Sequence, residues 1–186
     1  MEPQACRSLC GILIACLCIG HLPQARADSP NEIEKKARGA LSRLYRHNRL
    51  AAENVENAIA ILVFPEAKKL ALGAGLETAT GVLFRNQKPI SFHNLTALSC
   101  GLEFGIQKFG HALFFMDEGA LDHLYNSRGL DIGTTSSLVV ADGIFADSCS
   151  TTANTPGILV FTFNQTGLML DIGLQIAKIT EYEPGD

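Results

Sequence analysis

Two side chains that could act as nucleophiles, those of Ser99 and Cys100, stand in the run A-L-S-C-G. This run is one residue away from the G-x-S-x-G motif, in which a serine nucleophile sits on a sharp turn between a strand and a helix. Here the serine lies within residues 98–107, where apolar residues at every second position predict a regular strand. A regular strand does not supply the exposed turn, so we do not expect Ser99 to act as a nucleophile.

The histidines offer no better candidate for catalysis or metal binding. His93, His111 and His123 are scattered, and none stands at metal-ligand spacing with a cysteine or carboxylate. The sequence also lacks a phosphate-binding loop, a dinucleotide-binding glycine motif and a paired-histidine metalloprotease motif. We therefore expect that the protein is not an enzyme and that it binds neither a metal ion nor a cofactor.

Residues 1–27 have the features of an export signal. Arg7 gives a positive start, residues 9–22 are apolar, and A-R-A at 25–27 matches a cleavage site before Asp28. A second route stays open, because L-I-A-C ending at Cys16 resembles a bacterial lipobox, whose cysteine would be acylated. Both routes predict an exported protein, periplasmic or associated with the outer envelope, and lipid-anchored if Cys16 is used.

Export changes the interpretation of the six cysteines. Four of them lie in the export signal, which leaves Cys100 and Cys149 in the folded body. Two cysteines make neither a disulfide framework nor a zinc site by themselves. The sequence leaves two alternatives open: a disulfide between Cys100 and Cys149, or two separate thiols.

The mature chain divides into a basic arm and an acidic body. Residues 35–49 contain no acidic residue and six basic ones, namely Lys35, Lys36, Arg38, Arg43, Arg46 and Arg49. From residue 50 to the end there are 7 basic and 15 acidic residues. A basic amphipathic helix suits an anionic membrane surface, but the same charges also describe a solvated helix face that balances the acidic body. The acidic body disfavours nucleic acid as a partner.

Residues 28–60 are predicted to form a helical arm. Ile33, Ala37 and Leu44 fall on one helical face, and the His47–Asn48 pair predicts a junction between two helices. One further short helix is predicted at residues 118–125, with Asp117 as its cap.

Residues 61–183 are predicted to form a β-rich body, because large apolar residues alternate there with small or polar ones. The pattern occurs at residues 70–76, 98–107 and 168–176. Pro65 predicts the end of a first strand, and residues 86–89 and 164–167 predict turns. We expect an α+β fold with a glycine-rich, twisted antiparallel sheet, barrel-like if it curls far enough, and helices mainly at its N-terminal side.

Several of these segments resemble the SYLF family, a lipid-binding domain also known from fungal actin-binding proteins. The matching segments lie between residues 51 and 182. They are I-L-V-F-P ending at Pro65, Gly73-x-Gly75, S-C-G-L-E-F-G-I-Q-K-F-G, and F-x-F-N-Q-x-G-L-M. The resemblance implies a single SYLF-like domain over residues 28–186, in an exported form of bacterial type.

What the resemblance implies for function is a non-catalytic, lipid-binding or membrane-associated role. In eukaryotic relatives a basic N-terminal amphipathic helix binds phosphoinositides. Here anionic phospholipid is the expected ligand, and the candidate contacts are the six basic residues Lys35, Lys36, Arg38, Arg43, Arg46 and Arg49. The alternative is an envelope assembly module whose glycine-faced sheet packs against a protein partner without binding lipid.

Overall fold

Three long antiparallel strands form most of the structure, a computed structural model that describes residues 28–126, 137–140, 148–149 and 157–184. The elements in chain order are α1 (Pro30–His47), α2 (Arg49–Asn54), β1 (Ala60–Arg85), β2 (Lys88–Phe115), α3 (Glu118–Asn126), β3 (Ser137–Val140), β4 (Ser148–Cys149) and β5 (Ile158–Tyr182). The expected α+β class with an antiparallel sheet is confirmed. The export signal lies outside the described residues.

The sheet has the strand order β1-β2-β5-β3, and β4 also pairs with β5. Every pairing is antiparallel. Because β1 and β3 are not paired with each other, the sheet formed by the described residues has two edges and is not a closed barrel. The expectation of a barrel-like curl is therefore corrected to a bent but open sheet.

The helical arm divides at the residue pair that the sequence indicates, and α1 begins at Pro30. The backbone N–H of Ser29 donates a hydrogen bond to Glu32 Oε2 at 3.0 Å, which stabilises the start of α1. Asn48 ends α1 and caps α2, since its Oδ1 accepts a hydrogen bond from Ala51 N at 2.9 Å. The predicted junction at His47–Asn48 is confirmed, although α2 already ends at Asn54.

The hairpin between β1 and β2 turns on Asn86 and Gln87, whose φ angles are 51° and 63°. Positive φ at both central residues is typical of a two-residue hairpin turn, so the predicted turn is confirmed. The predicted strand end at Pro65 is wrong. β1 continues through this proline, and the register shifts between Phe64 and Ala67. Since β1 is an edge strand, a residue without an N–H is tolerated there.

The predicted turn at residues 164–167 is also wrong, because β5 is continuous from Ile158 to Tyr182. Phe163 pairs with Gly110 and Thr166 pairs with Lys108, so β5 carries an extra residue at this point. The φ angles of Asn164 (54°) and Gly167 (106°) belong to this bulge. Residues that favour positive φ serve bulges as well as turns, which is why the sequence pattern misleads here.

The predicted short helix α3 is confirmed. Asp117 Oδ1 accepts a hydrogen bond from Ala120 N at 2.8 Å, as the cap that the sequence indicates. Leu121 and Leu124 of α3 are buried in the core between the two halves of the sheet.

The long sheet bends back on itself at its middle. Glu77 hydrogen-bonds His111, although the register of the sheet places His111 opposite Phe64. Gly81 likewise lies against the backbone of Val63. Near the bend, the register shift between Leu72 and Ala74 leaves residues 101–103 of β2 opposite a single residue of β1. The two halves of β1 therefore face each other across the interior.

The core has two parts, one inside the bend and one under α1. Inside the bend, residues from both halves of the sheet pack together, including Leu62, Phe64, Leu83, Leu113 and Ile179. On the other side, α1 covers the sheet with a buried stripe of Ile33, Ala37, Ala40 and Leu44 against Val63, Val82, Phe114 and Phe161. Burial of this stripe fixes the helix to the sheet.

Candidate functional site

The six basic residues of the N-terminal arm are all exposed, on α1 and at the start of α2. Three of them have ionic partners. Lys36 Nζ lies 2.6 Å from Asp28 Oδ2, Arg38 Nε 2.7 Å from Glu34 Oε1, and Arg49 Nε 2.6 Å from Glu53 Oε1. Within the described part of the chain, Lys35, Arg43 and Arg46 form no ion pair or side-chain hydrogen bond. These three carry the uncompensated positive charge of the arm.

Arg38 is also held to the body, and Lys36 is held to the start of the arm. Arg38 Nη2 donates a hydrogen bond to the carbonyl oxygen of Gln87 at 3.0 Å, and its guanidinium lies 5.0 Å from the centroid of the Phe84 ring. The hydrogen bond from Lys36 to Asp28 raises the pKa of the lysine. Arg38 and Lys36 therefore have structural roles that Arg43 and Arg46 do not have.

The apolar side of α1 is not available to a ligand. Ala37 and Ala40 are fully buried, and Ile33 and Leu44 are nearly so. The helix therefore presents only its polar and basic side to solvent. Among the described residues, no helix is both long enough and apolar enough to cross a membrane.

The outside of the bend is a second candidate surface, and the sequence did not single it out. We call it the outer face. It consists of eight exposed large apolar side chains on three adjacent strands, namely Leu70, Leu72, Leu76, Leu98, Leu102, Phe104, Ile106 and Leu168. Leu72 is 77 % exposed and Leu102 is 72 % exposed. At about 150 Å² or more per large side chain, the outer face presents on the order of 800 Å² of apolar surface, above what monomeric proteins usually expose.

Strand register makes the outer face continuous. Leu70 pairs with Ile106, which pairs with Leu168, and Leu72 pairs with Phe104. Directly opposite residues of neighbouring strands point to the same side of a sheet. The eight side chains therefore form one patch.

Lysines border the outer face at both ends. At one end Lys68 and Lys108 are paired across the strands, two residues beyond Leu70 and Ile106. At the other end Lys178 pairs with Thr96, two residues beyond Leu98. Glu66 offsets the positive charge of Lys68 and Lys108 through two long ion pairs, with its Oε1 at 3.5 Å from Lys68 Nζ and 3.9 Å from Lys108 Nζ.

The opposite side of the same strands, the inner face, is buried because it lines the inside of the bend. Its residues are small or polar, and include Lys69, Ala71, Glu77, Ser99, Glu103 and Gln107. Polar side chains fill this part of the bend, and a Cβ atom at Gly75 would clash with the side chains of Ser99 and Glu103. With the inner face occupied in this way, the larger apolar residues of these strands stand outside, in contrast to an ordinary half-buried sheet.

A chain of hydrogen bonds crosses the inner face. Lys69 Nζ donates to Gln175 Oε1 at 3.4 Å, and Gln175 Nε2 donates to Glu77 Oε2 at 2.9 Å. Glu77 Oε1 lies 3.0 Å from His111 Nε2, and His111 Nδ1 lies 3.1 Å from Thr162 Oγ1. Burial works against ionisation of Glu77, but the partners His111, Gln175 and Lys69 outweigh it and hold the pKa of its carboxyl below the usual value.

Two of the residues considered for catalysis, Ser99 and His93, make hydrogen bonds within β2. Ser99 is buried in β2 and donates a hydrogen bond to Glu103 Oε2 at 2.6 Å, with no sharp strand-to-helix turn. His93 is also buried, its Nε2 lies 2.9 Å from Ser91 Oγ, and burial lowers its pKa to about 4. Among the residues that the structure describes, no three histidine, cysteine or acidic side chains are grouped to hold a metal ion.

The cysteine predictions have different outcomes. Cys100 is a free, exposed thiol on the outer side of β2, which favours two separate thiols over the alternative of a disulfide with Cys149. Cys149 lies in the short strand β4, opposite Phe161, and its side chain is outside those described. Cys16, the candidate for lipidation, lies outside the described residues.

A cleft of about 600 Å³ lies between the start of α1 and residues that flank the outer face. Asp28 and Lys36 line it from the start of α1. Lys68 and Thr78, which flank the outer face at its two ends on β1, line it from the sheet. The beginning of the basic helix is therefore adjacent to both ends of the outer face.

Comparison with known families finds no family model that matches this chain, and comparison with curated proteins finds none of significant similarity. The resemblance to SYLF proteins therefore stays a prediction, and function has to be argued from the surfaces described above.

Proposed function

We propose that this protein is a non-catalytic, membrane-associated envelope protein that contacts anionic phospholipid through the basic side of α1. One observation carries the proposal. Lys35, Arg43 and Arg46 are exposed without ionic partners on a helix that the core holds in place. A fixed array of positive charge is a suitable contact for anionic headgroups, each basic residue near such a surface contributing about 1 kcal/mol.

The buried stripe of α1 determines how the helix would act. An amphipathic helix that inserts into a bilayer uses its apolar side, but Ile33, Ala37 and Leu44 are occupied in the core. The contact made by α1 is therefore electrostatic, and its strength depends on ionic strength. Among the six candidates, Arg43 and Arg46 are expected to contribute more than Lys36, Arg38 and Arg49, which already have carboxylate partners.

The alternative function is envelope assembly through a protein partner without lipid binding. This alternative needs a glycine-faced side of the sheet to be accessible, but Gly75 and Gly81 lie on the buried side. A protein partner would therefore have to use the outer face or the exposed sides of the helices. The absence of vesicle binding by the purified protein would favour this alternative.

Charge reversal tests the proposal. The variant Arg43→Glu/Arg46→Glu changes two unpaired cations of α1, and Arg85→Glu/Lys88→Glu makes the same change in net charge at the β1–β2 hairpin. Binding to phosphatidylcholine vesicles with and without phosphatidylglycerol is measured by cosedimentation at low and physiological salt. We expect wild-type binding to the anionic vesicles to fall with salt.

The α1 variant is expected to lose at least tenfold in affinity for anionic vesicles at low salt, because two contacts of about 1 kcal/mol each become repulsive. The hairpin variant is expected to lose much less. Equal affinity of wild type and the α1 variant would refute α1 as the lipid contact.

A further inference from the structure

The outer face is a large apolar surface that the electrostatic role of α1 does not use. Its eight side chains are 48–77 % exposed on three hydrogen-bonded strands. Because exposing this much apolar surface to water is unfavourable, an unoccupied outer face would be a cost to the protein. The question is which partner covers it.

We propose that the outer face is a second, hydrophobic membrane contact, which enters the boundary between headgroups and acyl chains when the protein is bound to a bilayer. This inference rests on the proposed function, since it adds a hydrocarbon contact to the electrostatic contact of α1. It assigns the acyl region of the lipid as the partner of Leu72, Leu102, Phe104 and their neighbours.

The distribution of charge supports a bilayer as the partner. Between its two ends the outer face contains no charged side chain among the described residues. Cations stand just beyond those ends, Lys68 and Lys108 at one and Lys178 at the other. Such an apolar centre bordered by lysines matches the order of a lipid interface, in which long cationic side chains reach the headgroups while the apolar side chains enter the acyl region.

The shape of the surface supports the same partner. The inner-face contact between Glu77 and His111 and the approach of Gly81 to Val63 put the outer face on the outside of a bend. Two convex copies of this face would touch over a small area, well below the roughly 800 Å² per partner of a stable interface. A fluid bilayer, in contrast, adapts to a convex surface.

The position of the cleft links both contacts. Because Lys36 of α1 lines the same cleft as Lys68 and Thr78, the first turns of the basic helix are adjacent to Lys68, one of the lysines that border the outer face. An anionic membrane surface that approaches these lysines also approaches the start of α1. The electrostatic contact then brings the protein to the surface, and the outer face makes the contact resistant to salt.

Depth of insertion can be measured with a single fluorophore, because the chain contains no tryptophan. The full-length protein is made with Leu102→Trp, which places the probe at a strongly exposed position of the outer face. The matched control is Ile90→Trp, since Ile90 is also exposed on β2 but lies near the hairpin turn. Both proteins are mixed with anionic vesicles that carry bromine on the acyl chains, and cosedimentation gives the bound fraction.

For the bound protein we expect a blue shift of the Leu102→Trp emission and at least twofold quenching by the brominated chains. The Ile90→Trp emission should change little. If both variants bind in a salt-sensitive way and the tryptophan at position 102 stays exposed to water, the hydrophobic contact is refuted while the electrostatic role of α1 stands.

Two other outcomes would also overturn the inference. Absence of binding to every vesicle would refute both the inference and the proposed function. A blue shift of Leu102→Trp without lipid, increasing with protein concentration, would show that a second copy of the chain covers the outer face.

A double variant Leu72→Ser/Phe104→Ser, compared with Leu50→Ser/Ile90→Ser, gives an independent test. We expect only the former to lose vesicle binding at high salt, and equal retention by both would contradict the proposal.

Discussion

Gly81 lies directly against the carbonyl oxygen of Val63, although both residues belong to β1. This contact is possible only because the strand folds back on itself, and it leaves no room for a Cβ atom at position 81. At this position the inside of the bend therefore admits only a glycine. The same bend turns the large apolar side chains of residues 70–76 and 98–106 outward, where they form the surface that we assign to lipid.

Substitution of Gly81 tests the bend. A Cβ at position 81 would clash with the carbonyl oxygen of Val63 and the ring of Phe64. We expect Gly81→Ala to lower the free energy of unfolding by about 2–3 kcal/mol, as overpacking of a close contact usually does. Urea denaturation followed by circular dichroism measures this change.

The control for that substitution is Gly39→Ala in α1, where a Cβ would make only an ordinary contact with Arg43. Alanine is a better helix former than glycine, so this variant should gain up to about 1 kcal/mol. Equal stability of Gly81→Ala and wild type would mean that Gly81 and Val63 are not in contact.

His93 should make stability depend on pH between neutral and weakly acidic conditions. Its pKa is lowered to about 4 by burial, from an ordinary value of 6.5. The unfolded chain therefore binds a proton at a higher pH than the folded chain, and stability falls as the pH decreases from 6.5 to 4. At pH 5 this loss amounts to about 2 kcal/mol.

Comparison with His93→Gln isolates that contribution. In the wild type, the free energy of unfolding should decrease between pH 6.5 and 5, and His93→Gln should lose the part of this decrease that His93 causes. Urea denaturation at each pH measures the free energy of unfolding. The exposed His123→Gln should keep the decline of the wild type. An unchanged pH dependence in His93→Gln would contradict the buried, neutral state of His93.

Glu77 should make stability depend on pH in a more acidic range than His93 does. Burial opposes its charge, but its hydrogen bonds with His111 and Gln175 hold its pKa below the usual value of the unfolded chain. Its contribution to stability is therefore present above pH 4.5 and is lost as the pH falls through the pKa of the folded state. At pH 7 we expect Glu77→Gln to be less stable by about 2–4 kcal/mol, because it breaks a buried charged network.

Below pH 4.5, the free energy of unfolding of Glu77→Gln should decrease less with falling pH than that of the wild type. Glu56→Gln, which changes an exposed carboxyl, serves as the control. If Glu77→Gln and Glu56→Gln had the same stability at pH 7, the network between Glu77 and His111 would not contribute to the fold.

Much of the secondary structure follows from local patterns in the sequence. The stripe of Ile33, Ala37 and Leu44 predicts α1, and the interruption at Asn48 marks its end. Alternation predicts the strand segments, and Asn86 predicts the hairpin. In each of these cases the signal lies within a few residues, so no long-range contact is needed to read it.

The errors concern features that only the assembled sheet decides. Pro65 and residues 164–167 are typical of strand ends and turns, but pairing across the sheet makes them bulges within long strands. Alternation also shows that a strand has two different sides without showing which side is buried. In the bent sheet the side with small and polar residues is buried and the side with large apolar residues is exposed. The exposure of Leu72 and Phe104 could therefore not be predicted from their hydrophobicity.

For the candidate site, the sequence placed the six basic residues on the helical arm, where the structure has them on α1 and at the start of α2, but it did not separate the paired from the unpaired ones. That distinction depends on Asp28, Glu34 and Glu53 as partners. The lysines that border the outer face were missed, because Lys68, Lys108 and Lys178 come together only through strand register.

The central claim is that the apolar side of the bent sheet faces outward and meets lipid, and the thiol of Cys100 reports on it directly. Cys100 is free and exposed between Leu98 and Leu102 on β2. Its alkylation rate by a water-soluble reagent is followed by peptide mass spectrometry, in the native protein, in urea, and with anionic vesicles. We expect Cys100 in the native protein to react about as fast as in urea, and at least tenfold more slowly when vesicles bind. Reaction only after unfolding would show that this side of the sheet is buried, and reaction unaffected by bound vesicles would show that it does not meet the membrane.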